Sequence, residues 1–289
     1  MTCDLKPILF LILLFLFLAG CGQEGEKPSE PAPGRIISMA PSITETLFAL
    51  GLGERLVAVS NFCNFPEEAK KKPRIGGMLN PNWEVIISLS PDLVIAPESS
   101  NLEAGFKKYK IPSLLVRVNT LEDILLALEK IGQATGKSKK AKEIIENIKA
   151  EIEQISRLIS VFPRPKVLLV IAYQPLTAAG KGTYLDELIS LAGGKNILNE
   201  EQKGYPKVSM EEVVRRGPEI IFNATFGGER LDFWQRYGSI PAVKSGRIYN
   251  LESDLVVHPG PRVAEALTML ARLTHPEAFE EIDSRGGGE

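Results

Sequence analysis

From Arg35 onward, short aliphatic runs alternate with stretches in which apolar positions recur every three or four residues. That alternation predicts strands interleaved with helices, an α/β architecture. Ile36 and Ile37 open a strand, and Ser42 with Glu45 has the spacing of a capping box for a helix that runs to Leu50 and stops at Gly51. Val57 to Ser60 reads as the next strand, Asn82 to Leu89 as a helix, and Asp92 to Ala96 as a buried strand.

The second half repeats the pattern. Glu84, Ile86, Ile87, Pro91, Asp92, Leu93 and Val94 have counterparts at Glu211, Val213, Val214, Pro218, Glu219, Ile220 and Ile221, a constant offset of 127 residues. Leu47, Leu50, Gly53 and Leu56 answer to Leu188, Leu191, Gly194 and Ile197 at an offset of 141. Two such matches in the same order suggest paired lobes of one design. Between them, Ser138 to Ser160 carries Ile144, Ile148, Ile152, Ile155 and Ile159 on a helical spacing, without Gly or Pro. A helix of that length spans about 34 Å, enough to brace two lobes like a strut. The predicted layout is an N-terminal lobe over 35–137, a linking helix over 138–160 and a C-terminal lobe over 161–289, with a ligand cleft between the lobes.

The chain ahead of Arg35 has another character. Ile8 to Leu18 are all apolar with Lys6 in front, too short a run to span a bilayer of ~30 Å comfortably but suited to an export signal. It ends in Leu18, Ala19, Gly20 and Cys21, an order that resembles the lipobox of bacterial lipoproteins. Residues 1–20 are therefore expected to be a lipoprotein signal peptide, and Cys21 the lipidated first residue of the mature chain. Residues 21–34, rich in Gly, Pro and Glu, read as a flexible tether. With Cys3 lost and Cys21 acylated, Cys63 has no intrachain partner and no disulfide framework is available.

Charge narrows the function. The 34 basic and 36 acidic residues nearly cancel, so there is no excess to drive binding along a phosphate backbone, and nucleic acid is excluded as a partner. His258 and His275 are the only histidines, too few for a histidine-built zinc site, and no HExxH, GxSxG or phosphate-binding loop is present. No metal centre, cofactor or catalytic residue is expected.

A few positions invite a functional role. Glu84 and Glu211 each lie two residues after a predicted N-cap, Asn82 or Ser209, where the helix dipole favours a carboxylate. Glu212 already occupies the capping-box position after Ser209, which leaves Glu211 for other work. One exposed acid at an equivalent place on each lobe suits a two-fold symmetric basic partner. Phe62, Phe65, Tyr173, Tyr205, Phe226, Trp234 and Tyr237 fall in predicted loops, and Tyr173 and Tyr205 flank loops where strand ends would open toward an interlobe crevice. Asp254 and His258 sit in the last loop, before Pro259, Gly260 and Pro261, where either could contact a ligand or serve the turn.

Several segments resemble a known family: RIISMAPSITETLFALGLGERLVAVS, PRIGGMLNPNWEVIISLSPDLVIA, the stretch from Pro175 through LAGGKNIL, YPKVSMEEV and HPGPRVAEAL. They are similar to the cobalamin and iron-siderophore branch of the substrate-binding proteins of ABC transporters, and within it to vitamin B12 binders. The resemblance covers nearly all of Arg35 to Phe279. It implies two α/β lobes joined by a single long helix, as in class III periplasmic binding proteins. It also implies that Glu84 and Glu211 are docking glutamates that meet arginines of a dimeric permease. Phe62, Tyr205 and Asp254 match pocket positions of the cobalamin binders, with Phe62 in place of a tyrosine and Tyr205 in place of a tryptophan. Met78, Pro97 and Thr177 stand where aromatics are found, and His258 where an arginine is common, so the wall has fewer rings to set against a corrin.

The resulting expectation is a monomeric, lipid-anchored binding protein on the outer side of a membrane, without enzymatic activity. It would hold a corrinoid as cargo through Phe62, Phe65, Met78, Tyr173, Tyr205, Asp254 and His258. The alternatives are a ferric siderophore or haem as cargo, or a surface hydrolase.

Overall fold

The computed structural model describes residues 32–198, 201–225, 231–251 and 253–280. The expected signal segment, Cys21, nearly all of the tether and Phe226 lie outside these residues. Among the described residues, no helix is long and apolar enough to cross a membrane.

The first lobe is built on four parallel strands, β1 (Ile36–Ser38), β2 (Leu56–Val59), β3 (Leu93–Pro97) and β4 (Ser113–Val116), in the order β2-β1-β3-β4. Successive side chains of a strand point to opposite faces, so each strand feeds two cores. Ile36 and Ile95 pack with Leu47 and Leu128 on one face, while Ile37 and Val94 pack with Ile86 and Phe106 on the other. Burial on both faces explains why these strands read as unbroken apolar runs.

The second lobe repeats the plan around β5 (Lys166–Tyr173). It pairs in parallel with β7 (Lys195–Asn196) and β8 (Ile220–Asn223), and β8 pairs in parallel with β9 (Ile248–Asn250). The order β7-β5-β8-β9 matches β2-β1-β3-β4, with one addition: β6 (Leu176–Ala178) forms an antiparallel hairpin with the far end of β5. Helices Pro41–Ala49 and Tyr184–Leu191 lead into β2 and β7, and helices Trp83–Ser88 and Met210–Arg216 lead into β3 and β8. The repeat visible in the sequence is thus a repeat of topology.

Helix Ser138–Ile159 links the lobes. Ala141 lies in the core of the first lobe, Ile148, Ile155 and Ile159 lie in the core of the second, and Ile144 touches both. Each fully buried isoleucine contributes on the order of 1.5–3 kcal/mol, and all three belong to the second lobe's core, so the strut is held most firmly there.

One local expectation fails. The first helix begins at Pro41 with Ala40 as its N-cap, and no side chain caps it. Proline at the first helical position is preorganised for a helix start, and its missing N–H needs no partner. Ser42 and Glu45 are both buried. The complete capping box of this lobe is instead Thr120 with Asp123, which opens helix Leu121–Ala134.

Candidate functional site

The carboxyl ends of the strands in both sheets converge on a cavity of about 730 Å3. Met39 to Ser42 enter it from the end of β1, Ser60 from β2, Pro97 from β3 and Val118 from beyond β4. From the other lobe come Ile171 of β5 and Ala224 beyond β8. In open α/β sheets this is the edge where ligands bind, and the volume lies toward the upper end of the ~300–1,000 Å3 usual for small-molecule sites.

Large apolar side chains stand open along the cavity. Phe62 is 63% exposed, Leu79 92% and Tyr205 47%, with Met78 beside them. Such surface is left uncovered in a soluble protein where something is to cover it. Gly77 leaves room for its neighbours: a Cβ there would fall 2.9 Å from Asn80 Oδ1 and 3.2 Å from the Phe62 ring. The polar contacts available are Ser42, Ser60, Asn64, Asn80, Tyr205, Asp254 and His258. Among the described lining residues there is no lysine and no arginine.

Burial raises the Tyr205 hydroxyl above its ordinary value. Burial, and the proximity of Tyr205, raise Tyr184 well above it. Both phenols stay neutral at physiological pH and can donate a hydrogen bond. Tyr184 spends its proton on the Val256 carbonyl, 2.8 Å away.

Beside the cavity the lobes are tied together. Glu45 accepts from Arg262 Nε at 2.9 Å and from Nη2 at 3.1 Å, and His258 Nδ1 lies 3.5 Å from the same carboxylate. The Glu45 side chain is 2% exposed. At Gly260 a Cβ would sit 3.3 Å from the Ser42 Cα, so a glycine allows the close approach of the two lobes there.

The sequence-predicted residues separate at this point. Phe62, Met78, Tyr205, Asp254 and His258 line the cavity together. Phe65 lies outside that lining, with its ring centroid 3.8 Å below the Arg262 guanidinium. Tyr173 is also outside it, because its hydroxyl is committed to the second lobe: it donates to Asn223 Oδ1 at 2.6 Å and accepts from Trp234 Nε1 at 2.8 Å. Sequence reasoning missed Glu45, Asn64, Leu79, Asn80 and Arg262. The only hint for Arg262 was its place right after the Pro259-Gly260-Pro261 turn.

Glu84 and Glu211 are exposed, on helices that share one construction. Asn82 Oδ1 accepts from the Val85 N–H at 3.1 Å, and Ser209 Oγ accepts from the Glu212 N–H at 3.2 Å. The Glu212 side chain does not return to the cap; it turns to Arg216 and Gln202. Among the described residues neither Glu84 nor Glu211 takes part in an ion pair or side-chain hydrogen bond, and no group of three His, Cys, Asp or Glu could hold a metal ion. Cys63 is buried against Thr44 and Ser60, and desolvation raises its thiol, which makes it inert.

Two lobes of one topology, a linking helix and an apolar cleft at the strand ends define a protein that captures a small molecule between its lobes. The sequence profile of the periplasmic binding protein family matches residues 36–255, and the chain belongs to that family. It is 30% identical to the ABC transporter substrate-binding lipoprotein YvrC of Bacillus subtilis, over 94% of this chain and 97% of the relative. The vitamin B12-binding protein of Vibrio parahaemolyticus is 29% identical over 96% of this chain and 98% of its own. Among solved structures, the periplasmic haem-binding protein RhuT of a Roseiflexus species superposes with a TM-score of 0.76 at 27% identity, covering 84% of this chain and 98% of that one.

Proposed function

We propose that this chain is the extracytoplasmic substrate-binding component of an ABC transporter that captures cobalamin or a related corrinoid and delivers it, unaltered, to a membrane permease. The observation that carries the choice of cargo is the lining of the cleft. Haem presents two carboxylates and a ferric siderophore is commonly anionic, so either asks for cations in its pocket. The described lining offers no lysine or arginine, and instead provides apolar walls with neutral hydrogen-bonding groups at Ser42, Ser60, Asn64, Asn80 and Tyr205. That combination suits a bulky macrocycle fringed with amides. Phe62, Met78 and Leu79 from one lobe and Tyr205 from the other cover its faces, while Asp254 and His258 take polar edge contacts.

Delivery falls to Glu84 and Glu211. Each follows a few residues after a segment that lines the cavity, Gly77 to Asn80 in one lobe and Tyr205 in the other. Positive charges on a two-fold permease would meet one acid from each lobe. Acylation at Cys21 would hold the protein beside that permease, and a diacylated cysteine has the two chains that stable anchoring needs.

The hydrolase alternative has no support. The groups of the cleft with raised pKa are two tyrosines kept neutral, not a base beside a nucleophile. The test is direct. The soluble chain starting after Cys21 is mixed with cyanocobalamin, haemin or ferric enterobactin and passed over a gel-filtration column. Corrinoid absorbance should travel with the protein at near one-to-one stoichiometry. Haemin or the ferric chelate travelling with the protein, while the vitamin elutes alone, would overturn the corrinoid assignment.

A further inference from the structure

Helices Trp83–Ser88 and Met210–Arg216 occupy the same place in the two lobes, each leading into the strand that flanks the lobe's first strand. They agree position by position. Ile86 and Val213 are fully buried, while the next residues, Ile87 and Val214, are 45% and 38% exposed. A lone exposed aliphatic residue is ordinary on a soluble surface and carries nothing by itself. Here two β-branched residues are open at equivalent positions, and each lies three residues after an exposed glutamate. On a helix, residues three apart are surface neighbours, so each lobe shows an acid beside an aliphatic side chain.

Helix stability does not explain the arrangement. Buried Ile86 and Val213 already anchor the helices, and β-branched residues are mediocre helix formers. Solubility would favour polar residues at both positions. A partner that covers both patches does account for it, provided that partner is itself two-fold symmetric, because the patches are related by the internal repeat of this chain.

We propose that Ile87 and Val214 are the apolar half of the permease-docking surface: each seats against one of two symmetry-related permease surfaces, next to the ion pair made by Glu84 or Glu211. The inference rests on the docking role of those glutamates and adds to it a contact of different physics. The ion pairs steer the approach and weaken with salt, whereas desolvated aliphatic contacts persist. Burial of an aliphatic side chain beside each ion pair also helps to exclude water from it.

Full chain carrying an affinity tag brings its permease down from detergent-solubilised membranes of the producing cells. That permease is reconstituted in nanodiscs and titrated with the chain and its variants at about 50 mM and about 500 mM NaCl. The I87S/V214S variant should bind at least tenfold more weakly than the parent at the higher salt while keeping its cargo affinity and melting temperature. L126S, a change at another exposed aliphatic residue, should bind like the parent. The E84K/E211K variant should lose most of its affinity at the lower salt. If I87S/V214S binds as the parent does at both salts while E84K/E211K fails, the apolar contact is wrong and the docking glutamates stand. If E84K/E211K binds normally and I87S/V214S does not, the glutamates lose their role and the aliphatic pair keeps its own. Concentration-dependent dimerisation of the parent that I87S/V214S abolishes would give the surface to a second copy of this chain and overturn the proposal.

Discussion

Glu45 and Arg262 stand 217 residues apart in the chain and meet in a two-pronged ion pair that crosses from one lobe to the other. The planar fork of arginine matches a carboxylate, and burial removes the water that would otherwise screen it. His258 shares the same carboxylate while lining the cavity, and the Phe65 ring covers the far side of the guanidinium. The two lobes are therefore bridged at the edge of the cleft by this ion pair as well as by the long helix.

Removing one partner of this pair should cost far more than removing both. Arg262→Ala strands a buried carboxylate and should destabilise the chain by about 3–5 kcal/mol. The double variant E45A/R262A should lose less than the sum of the single losses. Urea unfolding of the four proteins gives the coupling energy; strict additivity would mean the pair does not act as a unit.

The exposed rings should matter to cargo and little to stability. Phe62→Ala removes a ring from the wall and should weaken corrinoid binding by roughly three- to tenfold, on the scale of about 0.5–1.5 kcal/mol for an aromatic contact. The unfolding midpoint should scarcely move, since the ring is already 63% exposed in the folded chain. Equilibrium titration and thermal unfolding of the same sample separate the two effects.

Alkali should loosen the second lobe. Tyr184 and Tyr205 are harder to ionise folded than unfolded, because burial penalises the phenolate. Their contribution to stability is complete below about pH 10, where an unfolded tyrosine titrates, and is lost as the pH rises from there through the folded values. Unfolding midpoints measured between about pH 9 and pH 11 should fall. Tyr205→Phe should flatten that slope without touching the Tyr184 hydrogen bond to Val256.

Cys21→Ser should abolish lipid attachment. Cells fed a labelled fatty acid should incorporate it into the parent and not into the variant, and the parent alone should follow the membrane fraction after lysis. Equal labelling of both would place the anchor elsewhere.

The residues show where sequence reasoning reaches its limit. Phe62 and Phe65 are the same residue type three positions apart in one loop, yet Phe62 lines the cavity and Phe65 stacks on Arg262. Tyr205 lines the cavity, and Tyr173 spends its hydroxyl inside the lobe. Loop position and residue type do not distinguish these fates, because the partner of each ring comes from a distant part of the chain. Glu45 makes the same point: its spacing from Ser42 imitates a helix cap, while Pro41 starts the helix without one and Arg262 claims the carboxylate.

The sequence by itself determined the α/β alternation, the long amphipathic helix, the doubled lobe and the acid that recurs on each half, because periodicity and capping act over a few residues and leave their mark on the chain directly. Only the tertiary structure decided which rings face the cleft, that its described lining lacks lysine and arginine, and that Glu45 grips Arg262. Those outcomes depend on the juxtaposition of two lobes that are far apart in sequence, and no local interaction encodes which side chains burial will bring into contact.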